Sequence, residues 1–229
     1  IVACPKHYVA YGAAEGGRDY NTVDISERVL REIYLPPFKA AIVDAKAGTI
    51  MSAFNELNGI PASANGHILI EILRGEWEFE GFVVSDWNAV RELINHGIAG
   101  TPAEAAKESV MVGVDMDMCG NVYQTSLAQL VKESLVSEKI IDEAVERILT
   151  IKFRLGLFES HYVSSGASKV LKSKEKLETA LDVARESIVL LKNDEAILPL
   201  EKDVGSIAVI GPLADDDNAP LGSWSCRGS

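Results

Sequence analysis

The chain has 229 residues and a formal net charge of −12. It is 47% hydrophobic and 24% charged, ordinary values for a globular protein, and its length allows one large domain or one domain plus part of another. An acidic balance argues against nucleic acid or an anionic membrane surface as partner, and no apolar run approaches the roughly 20 residues of a membrane span, whereas a neutral small-molecule substrate is compatible.

The chain opens on a short apolar run, Ile1 to Cys4, which reads as a strand leading into Pro5-Lys6-His7. The first residue is not methionine and no signal-like segment is present. The last residues, Gly-Ser-Trp-Ser-Cys-Arg-Gly-Ser, close no element, so a chain cut at both ends is expected. Three more apolar runs follow: Thr49 to Phe54 before Asn55 and Asn58-Gly59, Gly81 to Val84 before Ser85-Asp86-Trp87, and Val112 to Met118. Their onsets lie about 30–50 residues apart, the size of β/α units.

Helical patterns fill the intervals. Asp24 with Glu27 forms a capping-box signature before Val29, Leu30 and Ile33. Pro36-Pro37 is expected to break or kink that helix, and a second stretch runs from Phe38 to Lys46. Ile68, Ile72 and Leu73 mark a helix closed by Gly75. Thr101-Pro102 opens one that reaches Val112, and another spans Val122 to Val136. Ile141, Ala144, Val145, Ile148, Ile151 and Leu155 keep helical spacing up to Gly156. Ser160 to Ser173, rich in Ser and Lys without periodicity, reads as a linker. Beyond it, Leu177, Leu181, Ala184, Ile188 and Leu191 form an amphipathic helix, and Ser206 to Ile210 a buried strand. Four β/α units are half of an eight-stranded barrel of about 250 residues. An open doubly wound sheet is the alternative, although Gly12-x-x-x-Gly16-Gly17 lacks the spacing of a dinucleotide fingerprint.

Cys4, Cys119 and Cys226 are few, odd in number and far apart, so they read as plain thiols rather than a disulfide framework or a metal pair. Asp115-Met116-Asp117 is too short for a calcium loop, and neither a His-Glu-x-x-His nor a Gly-x-Ser-x-Gly motif occurs. His67, His96 and His161 lie in helix or loop context and carry no expected chemistry. Chemistry in α/β barrels sits at the carboxyl ends of the strands. That rule selects Lys6 and His7, Phe54 and Asn55, Ser85, Asp86 and Trp87, then Asp115 and Asp117. By position alone Asp86 fits a catalytic carboxylate and a helix cap equally well. Lys6 and His7 are ordinary surface residues unless they converge on a carboxylate, where both could donate to ligand hydroxyls.

Seven stretches, in order, carry a more specific signal. They are KHYVAYGAAEGGRDYNTVDIS (Lys6–Ser26), REIYLPPFKAAI (Arg31–Ile42), MSAFNELNG (Met51–Gly59), GFVVSDW (Gly81–Trp87), ILTIKFRLGLF (Ile148–Phe158), ARESIVLLKN (Ala184–Asn193) and IAVIGPLADD (Ile207–Asp216). Together they resemble glycoside hydrolase family 3, and within it the bacterial periplasmic-type β-glucosidases, which also carry GSWS, here Gly222–Ser225. The resemblance implies an α/β architecture: the C-terminal half of a (β/α)8 TIM-like barrel over residues 1–159, a linker over 160–174, and the beginning of an α/β sandwich domain over 175–229.

The resemblance further implies a retaining β-glycosidase acting on terminal β-D-glucosyl residues, with Asp86 as nucleophile. Lys6 and His7 would bind hydroxyls of the bound sugar and Trp87 would form part of its platform. Phe54 stands where relatives often place Tyr, so it would contribute packing only, and Met51 would sit near the same pocket. The Lys-His-Phe-Pro-Gly-His-Gly loop of the family's β-N-acetylglucosaminidases is absent, since Tyr8-Val9-Ala10-Tyr11-Gly12 follows His7. A β-xylosidase and an inactive carbohydrate-binding fragment are the alternatives. The family's general acid/base would lie downstream of this chain, so the isolated 229 residues are expected to be inactive. Lys6 could supply a positive field to Asp86 if the two converge. No cofactor or metal is implied. A β-glucoside or oligosaccharide partner, a homodimer at full length, and a periplasmic or secreted location are expected.

Overall fold

The computed structural model describes residues 1–164, 166 and 172–222. They fall into two units, Ile1–Tyr162 and Val163–Ser229.

In the first unit four segments run parallel in chain order. Thr49–Met51 pairs with Phe82–Val84 in the register Thr49↔Phe82, Ile50↔Val83, Met51↔Val84. Tyr8 bridges Ser52 on one side, and Met116 bridges Val84 on the other, both in the parallel sense. Each segment lies beside its predecessor, with no reversal of order. A doubly wound sheet reverses at a switch point, whereas a (β/α)8 barrel advances strand by strand. The observed order is that of the barrel. Ile50 and Val83 are fully buried, as β-branched residues are in a parallel sheet covered on both faces.

The first segment is displaced from its expected place. Ile1 to Cys4 joins no ladder. Instead Met51 N–H donates to Pro5 O (3.2 Å) and Tyr8 N–H to Met51 O (2.7 Å). A run of four apolar residues signals a strand but does not set where its hydrogen bonds begin. The fourth run likewise pairs only around Asp115 and Met116, whose N–H groups both approach Val83 O. Gly81 enters the Phe82–Val84 strand beside Gly48; a Cβ there would lie 2.1 Å from Gly48 O, so only glycine allows the approach.

A second, smaller sheet escaped the apolar pattern. Thr22–Val23 pairs in parallel with Glu56–Leu57, which turns back antiparallel onto Ile60–Pro61. The turn is Asn58-Gly59, both with positive φ (51° and 85°), the residues a two-residue hairpin favours. This sheet ties the chain after Tyr20 to the chain after Phe54.

The helices behave as their caps dictate, with two corrections. Ser26, not Asp24, caps the first: its Oγ accepts from Val29 N–H at 3.3 Å. Pro36-Pro37 does not break that helix. Residues 27–44 stay helical, with α turns at Glu27–Val29 and Leu35–Lys39 alternating with wide π turns at Leu30–Tyr34 and Ala40–Asp44. Leu35 N–H reaches back five residues to Leu30 O. That wider turn moves the chain past the carbonyls the proline rings would strike in a regular helix. Thr101 Oγ1 caps Pro102–Met111 through Glu104 N–H. Glu138–Arg154 carries Glu138 in its first turn and Lys152 and Arg154 in its last, complementing its dipole, and ends before Gly156 with φ 66°. The core joins Tyr8, Val9, Ile50 and Val83 to Leu30, Ile68, Leu69, Ile72 and Leu73. Tyr8 Oη donates to Ile68 O at 2.9 Å.

The second unit holds the helix Lys174–Ser187. It ends before Ile188, so Ile188 and Leu191 are not on it as expected. Ser206 to Ile210 joins no sheet among the described residues, and Ile210 is 91% exposed. A strand needs neighbours for its N–H and C=O groups, and no other strand is described in this unit. Cys226, residues 165 and 167–171 of the linker, and Ser223–Ser225 of the GSWS motif lie outside the described residues.

Candidate active site

Asp86 follows the Phe82–Val84 strand at its carboxyl end and is 8% exposed. Its surroundings come from three strand ends. The main chain is fixed first. Ser85 N–H donates to Met116 O (2.9 Å), and Ser85 Oγ accepts from Met118 N–H (2.9 Å) while donating to Asp86 O (2.9 Å). Ala89 N–H also donates to Asp86 O at 3.0 Å. The residue preceding the helix Ala89–Glu92 is Asn88, with φ 61°. The Asp86 carboxylate therefore does not cap that helix.

The two carboxylate oxygens have different neighbours. Oδ1 accepts from Trp87 N–H at 2.6 Å. Oδ2 lies 3.2 Å from His7 Nε2. Burial holds the His7 imidazole below its usual range. Asp86 pulls it upward, Lys6 pushes it down, and Asp19 pulls it upward again. His7 is thereby neutral around neutral pH, able to keep a proton on Nε2 facing the carboxylate.

The other expected residues divide. Met51 is buried, and its backbone brackets the Lys6-His7 segment through Pro5 O and Tyr8 N–H. Phe54 is buried at the end of the neighbouring strand. Trp87 is 59% exposed and lines an open depression of about 400 Å³ with Tyr20, Asn88, Glu92 and Cys119. Lys6 is exposed and forms no ion pair with Asp86 among the described residues. Its charge bears on His7, whose pKa it pushes down.

Several neighbours were not singled out from the sequence. Tyr11 packs on His7 with ring centroids 5.2 Å apart, and Tyr20 on Phe54 at 4.1 Å. Tyr11 Oη donates to Asp19 Oδ1, which also accepts from Tyr20 N–H at 3.1 Å. Two tyrosines flanking a glycine-rich stretch directly after Lys6-His7 were the available signal. Asp115, a strand-end candidate, is structural. Its buried carboxylate accepts from Val83 N–H (2.7 Å) and pairs with Arg74 (2.9 Å) and Arg147 (2.7 Å). Burial raises the Asp115 carboxyl against those pulls, and the same burial lowers the Arg74 guanidinium to about 10. Asp117 Oδ2 accepts from Val122 N–H at 2.9 Å, at the start of Val122–Lys132. Cys4 and Cys119 are free thiols. Among the described residues no group of three or more His, Cys, Asp or Glu could hold a metal ion, and no helix is long and apolar enough to cross a membrane.

Residues 1–151 match the glycosyl hydrolase family 3 N terminal domain and residues 188–228 the family 3 C-terminal domain. A periplasmic β-glucosidase of Salmonella typhimurium is 43% identical over 100% of this chain and 30% of its own length. A β-xylosidase of Formosa agariphila is 39% identical over 100% of this chain and 33% of its own. Among solved structures, a β-glucosidase from Listeria innocua in complex with glucose superposes with a TM-score of 0.81 at 46% identity, covering 87% of this chain and 28% of that one. A β-glucosidase involved in saponin metabolism from intestinal bacteria gives 0.85 at 36% identity, covering 99% and 30%. The chain thus spans 30% and 33% of the length of these two curated relatives.

Proposed function

The chain belongs to glycosyl hydrolase family 3, and from that membership we propose that it carries the nucleophile half of a retaining β-glycosidase site, with Asp86 attacking the anomeric carbon of a terminal β-D-glucosyl residue. The supporting observation is the Asp86 carboxylate itself. It is buried at a strand's carboxyl end, fixed by Trp87 N–H on one oxygen, and faced by His7 on the other. A nucleophile must be ionised and aimed, and a carboxylate held by its neighbours loses little freedom on reaching the reactive geometry.

In the first step Asp86 bonds to the anomeric carbon as the bond to the leaving oxygen breaks. A second carboxyl group, about 5–5.5 Å away in such enzymes, gives that oxygen its proton. In the second step the same group takes a proton from water, water attacks the anomeric carbon, and the Asp86 carboxylate departs. No residue of this chain is assigned that second role. The β-glucosidase relatives favour a glucoside, and the β-xylosidase of Formosa agariphila supports a β-xyloside as the second reading. Export to the periplasm or beyond is proposed with it, on the likeness to the periplasmic relative.

Incubation of the protein at its full encoded length with a 2-fluoro-β-glucoside, followed by peptide mass spectrometry, tests the assignment. A 2-deoxy-2-fluoroglucosyl adduct on the peptide containing Asp86 is expected. An adduct on another carboxylate overturns it.

A further inference from the structure

The stretch from Glu15 to Tyr20 is exposed throughout, yet two rings of the segment between Lys6-His7 and Thr22 lie against buried or half-buried site residues. Tyr11 sits 5.2 Å from the His7 ring and 6.2 Å from Phe54. Tyr20 sits 4.1 Å from Phe54 and lines the same depression as Trp87. A half-buried Tyr11 and an exposed Tyr20 on a loop do not hold such places by burial alone, because each loses side-chain freedom for little buried area. Something must tie them. The Thr22–Glu56 pairing anchors the far end of the loop. The near end is anchored by Tyr8, whose main chain bonds to Met51 and Ala53. Between these anchors one atom joins the Tyr11 ring to the main chain of Tyr20: Asp19 Oδ1 accepts from both Tyr11 Oη and Tyr20 N–H.

We infer that Asp19 is a positioning residue, a clasp that sets Tyr11 against His7 and Tyr20 against Phe54, so that the two tyrosines wall the site on the side where Trp87 is exposed. The inference rests on the proposed glycosidase reading and adds to it a residue that touches no substrate. Asp19 acts through the Tyr11 hydroxyl and the Tyr20 main chain, and the two rings so placed shape the space beside the carboxylate rather than its chemistry. Loss of the clasp should therefore weaken binding of the group joined to the reacting sugar more than the bond-breaking step.

Three variants of the protein at its full encoded length separate this role from a general effect on folding. Tyr11→Phe keeps the ring and removes the donor. Asp19→Ala removes the acceptor. Asp19→Asn keeps an amide oxygen able to accept from the same two donors. With a disaccharide β-glucoside, Tyr11→Phe and Asp19→Ala should raise KM about tenfold with kcat within about threefold, the scale of one hydrogen bond to a charged group. Asp19→Asn should restore most of the native KM. All three should melt within about 3 °C of the native protein, since the altered groups are exposed or isosteric. Native KM in both Tyr11→Phe and Asp19→Ala overturns the inference. So does an equal rise in all three, which would point to the charge of Asp19 and not to its geometry. The parent reading fails separately, by absence of β-glycosidase turnover in the native protein.

Discussion

His7 Nε2 lies 3.2 Å from Asp86 Oδ2, although the Thr49–Met51 strand runs between the segments that carry them. The two side chains meet above the end of that strand. The pair is the centre from which each expectation below is drawn.

Replacing Asp86 should remove the reaction and spare the fold. In Asp86→Asn and Asp86→Ala at full encoded length, kcat toward a chromogenic β-glucoside should fall by roughly 10³-fold or more, with an unchanged circular dichroism spectrum. Retention of a tenth of native turnover would remove Asp86 from the mechanism.

His7 ties stability to pH. Burial lowers its pKa below the ordinary 6.5, so the unfolded chain takes up the proton more readily than the folded one. Its contribution is fully present above about pH 6.5 and is lost as pH falls through the lower folded value. Asp86, Lys6, Asp19 and Tyr11 all face the ring, so a substitution must leave them in place. Between about pH 7 and about pH 5 the melting temperature should fall less in His7→Gln than in the native protein. Parallel curves would show that the imidazole is not the sensor.

Asp115 carries a structural load. Asp115→Ala leaves the buried Val83 N–H without its acceptor and takes the carboxylate from the partly buried Arg74 and Arg147, although Arg74 Nη1 keeps Phe79 O and Gly81 O. A loss of about 3–5 kcal/mol is expected in chemical denaturation, the scale of breaking one side of a buried ion pair. A loss under about 1 kcal/mol would mean that water replaces the carboxylate.

Trp87 separates binding from folding. Its indole is exposed, so Trp87→Ala should change stability by no more than about 0.5 kcal/mol. Because the ring lines an open depression with Tyr20, Asn88 and Glu92, KM for glucosides with a bulky leaving group should rise more than KM for methyl β-glucoside. An equal rise for both would place Trp87 against the reacting sugar alone.

Leu73 tests the core. It is fully buried between the His67–Glu76 helix and the sheet. Leu73→Ala should cost about 2–5 kcal/mol, read as a lower denaturation midpoint.

Much of this architecture was written in local pattern. Apolar runs spaced as β/α units announced the parallel segments, and Asp86-Trp87 followed one of them where barrel chemistry sits. The rest escaped for specific reasons. The small sheet at Thr22–Val23, Glu56–Leu57 and Ile60–Pro61 uses strands of two residues, too short for periodicity to register. The helix through Pro36-Pro37 survives because wide π turns absorb what a regular helix would not, and residue propensities do not encode that choice. Ser206 to Ile210 is apolar enough for a strand, but apolarity supplies no hydrogen-bonding neighbour.

The sequence by itself determined which residues could carry chemistry and in what order the β/α units follow, because both depend on residue type and spacing along the chain. Only the tertiary structure decided which of them meet. It set His7 against Asp86, left Lys6 exposed, tied Asp115 to two arginines, and packed Tyr11 on His7 and Tyr20 on Phe54. The physical reason is that such encounters follow from strand register and from packing across the sheet. Both are settled by contacts between residues far apart in the chain, and a local pattern carries no record of them.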